Sequence, residues 1–203
     1  MSCFLGVDQG SHSSRAVLFD ENGDAVEQVS QKIMIDRPGT GRAEYGAGQL
    51  LHSVEHVIKQ VLDAFDMHAT EQVSACGIAT QRSTVLAWDV NGESLGPVLS
   101  WQDVRAESLV AELKHHEQEI RRLTGLPLTP YYSASKMNWL LNQSETVKLC
   151  PRENLRLSPL VSYLLFHLLD DKPFIIDYSN AQRTQLFDLD TLTWDERLCD
   201  WFA

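Results

Sequence analysis

The sequence predicts an α/β fold, and three observations carry that expectation. Three short apolar runs joined by tight polar turns open the chain. An amphipathic helix pattern follows at residues 50–65. Strand-like and helix-like segments then alternate. Phe4–Val7 is the first run and ends at Asp8. Ala16–Phe19 is the second, and Glu21-Asn22-Gly23-Asp24 after it is a strong turn signal. Ala25–Ile35 alternates in part, with Val26, Val29 and Ile33 among polar residues. The simplest reading is a three-stranded antiparallel meander.

Pro38-Gly39-Thr40-Gly41 reads as a loop. Leu50, Leu51, Val54, Val57, Ile58, Val61, Leu62 and Phe65 then recur at helical spacing. Val73–Thr80 and Thr84–Trp88 return to strand patterns, and Asn91-Gly92 marks a turn of a hairpin continuing to Leu95. From Asp103 the pattern is mostly helical. Leu109, Val110 and Leu113 form one stripe, and Ile120 and Leu123 another, which Gly125 closes as a C-cap. Met137, Leu140 and Leu141 mark a short helix. Ser158-Pro159 reads as a helix start, with the hydroxyl as N-cap and proline at the first helical position. Leu160–Leu169 reads as a buried helix, and Trp194, Leu198 and Trp201 suggest a last one.

The 203 residues are 43% hydrophobic and 22% charged, enough for one domain with a sizeable core. A net charge of -11 repels phosphate backbones and anionic lipids, so neither a nucleic acid nor a membrane surface is expected as partner. Cys3, Cys76, Cys150 and Cys199 lie far apart, which predicts reduced, buried thiols in a cytoplasmic protein rather than disulfides or zinc. His115-His116 is expected on a solvated face. The N-terminal Met1-Ser-Cys-Phe-Leu-Gly-Val-Asp has no basic region and no long apolar run, so no signal peptide is expected.

Neither a G-x-G-x-x-G fingerprint nor a phosphate loop ending in Gly-Lys-Ser/Thr occurs. Four other blocks can carry chemistry. Asp8-Gln9-Gly10-Ser11-His12-Ser13-Ser14-Arg15 joins the first two strands. A carboxylate at a strand end, a glycine that lets backbone amides approach, three hydroxyls and a cation suit a Mg2+-phosphate group. The alternative is a serine-rich hairpin in which Asp8 caps its own turn. Thr80-Gln81-Arg82-Ser83-Thr84 ends a strand, where Arg82 can donate to several hydroxyl oxygens or simply pair with an acid. In Ser100-Trp101-Gln102-Asp103-Val104-Arg105, Trp101 can stack on the carbon face of a sugar or fill a core, and Asp103 can N-cap the next helix. In Pro130-Tyr131-Tyr132-Ser133-Ala134-Ser135-Lys136, either phenol can bond a hydroxyl or pack at a helix entry.

In their order, these blocks resemble the FGGY family of carbohydrate kinases, in its glycerol kinase-like branch. The resemblance adds Gly41–Glu44, Thr124-Gly125-Leu126, and Asp177-Tyr178-Ser179-Asn180-Ala181 with Arg183-Thr184 and Leu186-Phe187. It runs from Leu5 to about Trp194. It implies an actin-like, ribonuclease H-like fold, with a mixed sheet and helices on both faces, and ATP-dependent phosphorylation of a sugar or polyol hydroxyl. It places Asp8 near the metal, and Gly10, Ser11, Ser13 and Arg15 near the phosphates of ATP. Arg82, Ser83, Trp101 and Tyr131 line the substrate site. Residues 1–203 then form the substrate-binding N-terminal domain. The general-base aspartate and the ATP-binding C-terminal domain are expected beyond Ala203, so this chain alone is expected to be inactive, and a homo-oligomer is compatible.

Three departures stand out. Ser83 replaces the glutamate that glycerol-phosphorylating members carry, so glycerol itself is not the expected substrate. Ser11-His12 replaces a pair of threonines. Val161 replaces an acid in Leu160-Val161-Ser162-Tyr163-Leu164. The rival from another class is a non-catalytic sugar-binding or regulatory module from a truncated kinase gene. A third option, an acetate kinase-like enzyme, is opposed by the Trp101 and Tyr131 blocks.

Overall fold

The computed structural model describes residues 2–65 and 73–203, so Met1 of the N-terminal run lies outside the described residues. In chain order the strands are β1 (Cys3–Gln9), β2 (Ser13–Phe19), β3 (Ala25–Lys32), β4 (Glu44–Tyr45), β5 (Val73–Thr80), β6 (Val85–Asp89), β7 (Val98–Leu99), β8 (Leu155–Pro159), β9 (Phe187–Asp188) and β10 (Thr193–Trp194). The helices are α1 (Ala47–Ala64), α2 (Glu107–Glu112), α3 (Glu117–Thr124), α4 (Ser133–Gln143), α5 (Glu145–Leu149), α6 (Leu160–Leu168), α7 (Tyr178–Gln182) and α8 (Glu196–Trp201). The chain divides into two compact units, one of Met1–Ile35 and Gly48–Gln81, the other of Asp36–Ala47 and Arg82–Ala203.

The first unit is the predicted meander extended by one strand, in the order β3-β2-β1-β5. β1 and β2 are antiparallel, with Asp8 opposite Arg15 and Gln9 opposite Ser14. β5 runs parallel to β1, with Asp8 beside Ala79. Alternation along β1 buries Cys3, Leu5, Val7 and Gln9 and leaves Phe4 and Asp8 exposed. Leu50, Val54, Val57 and Val61 of α1 share one stripe and are fully buried. Each contributes about 1.5–3 kcal/mol by leaving water. The Ser53 hydroxyl lies 2.7 Å from that of Ser14, which seats α1 on the same sheet face as the buried residues of β1 and β2. At the β2–β3 turn the Asp20 carboxylate accepts from the Asn22 and Asp24 amides, each at 2.9 Å, and Gly23 takes the left-handed φ of 85°. Among the described residues of this unit, helix covers one sheet face. Ser74, Ala75, Cys76, Gly77 and Ala79 of β5 stay exposed.

The second unit holds an antiparallel sheet in the order β4-β7-β6-β8, with helices on both faces. Val85 and Ala87 of β6 pack with Leu99, Met137, Leu140 and Val147 on the α4 side. Trp88, whose neighbours point the other way, makes edge contacts with Tyr163 and Phe166 of α6 and with Phe174. A second cluster joins Leu113, Ile120 and Leu123 to Leu198 and Phe202.

Several expectations change here. Ser158 does not cap a helix: it pairs with Leu86 inside the sheet, its hydroxyl accepts from Trp88 Nε1 at 3.1 Å, and Pro159 ends the strand before α6 begins. His116 is not on a solvated face but stacks on Trp201 at 4.1 Å. Of the four cysteines, all free, Cys3 is buried, whereas Cys76 and Cys199 are exposed. The Asn91-Gly92 turn stands as expected, with Gly92 at φ 94° and Asp89 N donating to Glu93 O. Gly125 caps α3 at φ 70°, and a Cβ there would meet Leu189 Cδ1 at 3.1 Å. Gly125→Ala is therefore expected to lower stability by about 1 kcal/mol, read as a lower urea midpoint with an unchanged m-value.

Candidate functional site

In the second unit, three of the sequence blocks come together through polar atoms. The Trp101 amide donates to Thr84 Oγ1 at 3.1 Å, which ties the Arg82–Thr84 segment to the tryptophan loop. The Ser83 hydroxyl donates to Arg183 O at 3.3 Å, and the Ser133 amide reaches the same carbonyl at 3.4 Å. Ala134 N donates to Thr184 O at 2.9 Å. Trp101 and Tyr131 end up edge to face, ring centroids 6.3 Å apart, while staying 39% and 50% exposed. Two large rings held against each other yet open to solvent form an amphipathic platform, suited to the carbon face of a hydroxylated ligand. Arg82 is exposed beside buried Ser83. Ser83 sits at φ 66°, and its hydroxyl donates to Arg183 O.

Beneath the platform lies a buried charged frame. Asp103 is fully buried and accepts from Ala43 N at 2.7 Å, Arg105 N at 3.0 Å, Arg105 Nε at 2.8 Å and Arg105 Nη2 at 2.8 Å. It therefore does not N-cap α2, whose N-cap position is Ala106. Arg105 also pairs with Glu44 and lies 4.6 Å over the Trp139 ring. Burial works against its charge, but the bonds and charge of Asp103 and Glu44 prevail and hold the guanidinium above its ordinary pKa. Arg37 donates to Gln102 Oε1 at 2.7 Å, a further tie to the same loop. The Gly41–Glu44 and Trp101–Arg105 blocks are thus two halves of one structural device.

The other buried charge is Lys136, in the first turn of α4. Its ammonium donates to the carbonyls of Pro130, Tyr131 and Tyr132 at 3.2, 2.8 and 2.7 Å. Burial pushes it down from 10.5 to about 7, with the charge of Asp103 opposing.

In the first unit, Asp8 and Arg15 face each other across β1 and β2 on the uncovered sheet face. They line an open depression of about 450 Å³ floored by Gly6 and Gly77. The hairpin between them is tightly tied. Gly10 N donates to Ser13 O at 2.9 Å, so its amide serves the turn rather than standing free for a ligand. Gln81 Nε2 donates to Gln9 Oε1 at 3.0 Å and to Gly10 O at 3.3 Å, and Gln81 N to Gln9 O at 2.8 Å. Ser14 points inward to Ser53. Ser11 and Ser13 stay partly exposed, and Asp8, His12 and Arg15 are exposed. Among the described residues no group of three or more His, Cys, Asp or Glu could hold a metal. A single outward carboxylate flanked by hydroxyls still fits Mg2+, which keeps most of its water and takes one or two carboxylates beside phosphate oxygens.

Sequence reasoning missed the structural parts of Lys136, Glu44, Arg105 and Gln81. All stand in the motif blocks, but their partners lie up to 72 residues away. A separate apolar cavity of about 320 Å³ in the second unit is lined by Met137, Leu157, Phe174, Leu186 and Trp194 and by none of the predicted site residues. No helix among the described residues is long and apolar enough to cross a membrane.

Comparison with known proteins accounts for this arrangement of blocks. The chain is 35% identical over 200 residues to a glycerol kinase of Oceanobacillus iheyensis, covering 97% of this chain and 40% of the relative. It is 36% identical over 207 residues to one from a Geobacter species, covering 98% and 41%. Its fold matches the glycerol kinase of Plasmodium falciparum, solved with ADP, at a TM-score of 0.88 and 26% identity, over 100% of this chain and 41% of that one. It also matches a ligand-bound xylulose kinase of Lactobacillus acidophilus at 0.87 and 26%, over 100% and 40%. The chain therefore spans about two-fifths of the length of these relatives. Residues 3–203 match the family "FGGY family of carbohydrate kinases, N-terminal domain", and the chain belongs to that family.

Proposed function

We propose that this chain is the N-terminal, substrate-binding part of an ATP-dependent carbohydrate kinase that transfers the γ-phosphoryl group to a hydroxyl of a sugar or polyol. The observation that carries it is the half-exposed Trp101–Tyr131 pair, held by buried polar ties, with the exposed Arg82 two residues before the Thr84 that holds the Trp101 amide. Such a platform offers ring faces to C–H bonds, and the guanidinium offers several N–H donors to hydroxyl oxygens. Asp8 would hold Mg2+, with Ser11, Ser13 and Arg15 toward the phosphates. The bound ion would neutralise charge on the transferring group. The tied amide of Gly10 leaves that residue a shaping part rather than a donor.

The domain reading follows: residues 1–203 supply substrate affinity, and the nucleotide-binding remainder and general base belong to the length that the relatives have and this chain does not span. Phosphoryl transfer depends on positioning and charge stabilisation from all parts together, so little turnover is expected from this chain alone. Ser83 favours a substrate other than glycerol, since its hydroxyl is committed to Arg183 O and it brings no carboxylate.

Calorimetric titration of the chain with glycerol, erythritol, xylulose, ribulose and gluconate tests the proposal. At least one should bind, and Trp101→Ala or Arg82→Ala should weaken it about tenfold, or ~1.4 kcal/mol. A folded chain that binds none of the five would overturn the reading.

A further inference from the structure

Lys136 is a fully buried cation with three hydrogen-bond partners that the proposed chemistry leaves unused. It occupies the fourth position of α4, in the first turn, where the helix dipole disfavours a cation. It is fully buried, which costs more. Neither feature is explained by helix stability. What Lys136 gains is a set of three consecutive backbone carbonyls, from Pro130, Tyr131 and Tyr132, matching the three N–H groups of an ammonium. Three acceptors in a row fix the turn that enters α4. The Tyr131 ring leaves the middle of that turn and is itself half exposed, so packing alone does not set its direction. Its edge contact with Trp101 depends on where the turn holds it.

Asp103, two residues after Trp101, supplies the opposing charge that favours the protonated lysine. Asp103 is itself bound to Arg105, and Arg183 lies 5.7 Å over the Tyr132 ring. The ammonium is thus bonded to the tyrosine turn and feels the charge of Asp103 in the tryptophan loop.

We infer that Lys136 is a positioning residue, whose ammonium clamps the Pro130–Tyr132 turn so that Tyr131 completes the ligand platform with Trp101. This deepens the proposed reading of the platform as the sugar or polyol site and rests on it.

The test uses the whole chain labelled with 5-fluorotryptophan, the Trp101 line being identified by its loss in Trp101→Phe. In Lys136→Met the Trp101 line should shift. The dissociation constant for whichever of glycerol, erythritol, xylulose, ribulose and gluconate binds should rise at least tenfold, and Lys136→Arg should recover part of both. A folded Lys136→Met with an unmoved Trp101 line overturns the inference, as does a moved line with unchanged affinity. If the wild type binds none of the five, the reading of the site fails, and the fluorine line still decides the clamp. If Lys136→Met does not fold, Lys136→Gln takes its place, and an unmoved Trp101 line in that folded variant overturns the clamp.

Discussion

Arg105→Met is expected to destabilise the protein by about 3–5 kcal/mol, because it leaves the buried carboxylate of Asp103 with no cation. Asp103 is fully buried and Arg105 nearly so, so solvent cannot take over the lost interaction. The Asp103 carboxylate would retain Ala43 N and the amide of residue 105, two donors for a full charge. Glu44 would lose its partner as well. Methionine keeps much of the volume and some of the packing on Trp139, so the loss is electrostatic more than steric. The double variant Arg105→Met/Asp103→Asn removes both charges and should recover a large part of the deficit. Urea denaturation of both variants checks this. A single variant within 1 kcal/mol of wild type, or a double variant no better than the single, would refute it.

The second large effect is on the pH dependence of stability. Lys136 titrates at about 7 in the folded protein against 10.5 when free. Between those values the unfolded chain binds more protons than the folded one, so stability rises with pH. The gain is complete above 10.5 and is lost as pH falls through 7. A displacement of that size corresponds to several kcal/mol over the full span. Lys136→Met has no such group, so the stability difference between wild type and variant should move in favour of wild type from pH 7 to pH 9.5. Parallel pH profiles for the two proteins would contradict it. The opposite is expected of the platform, where losing the proton frees a carbonyl. Rising pH should thus firm the fold while loosening the Tyr131 turn.

What was legible in the sequence follows the range of the forces involved. Strand alternation and helical periodicity are local, so β1, β2 and α1 could be read, and β5 falls on Val73–Thr80 as expected. Gly125 was readable because a left-handed cap has a local sequence signature. Ser158-Pro159 misled for the converse reason. Its local chemistry suits a helix start, but Trp88, 70 residues away, takes the hydroxyl into a sheet. Asp103 looked like a cap because its partner Ala43 lies 60 residues upstream. The two-residue strands β4, β7, β9 and β10 are too short to show a period. In the candidate site, the exposed residues Arg82, Trp101 and Tyr131 were visible as motif members. The frame of Glu44, Asp103 and Arg105 was not, since one sequence names residues without their distant partners, and Lys136 bonds only backbone carbonyls, which leave no mark in the sequence.

The outer strand of the first unit has a further consequence. Its eight residues carry no charge and no proline, and nothing among the described residues hydrogen-bonds along its far side. An edge of that composition, whose outward amides and carbonyls no described residue takes, is an adhesive rim that extended backbone can join. Handling the protein at high concentration is therefore a question of what docks on that rim first, and a single lysine introduced there would be the mildest way to keep copies apart.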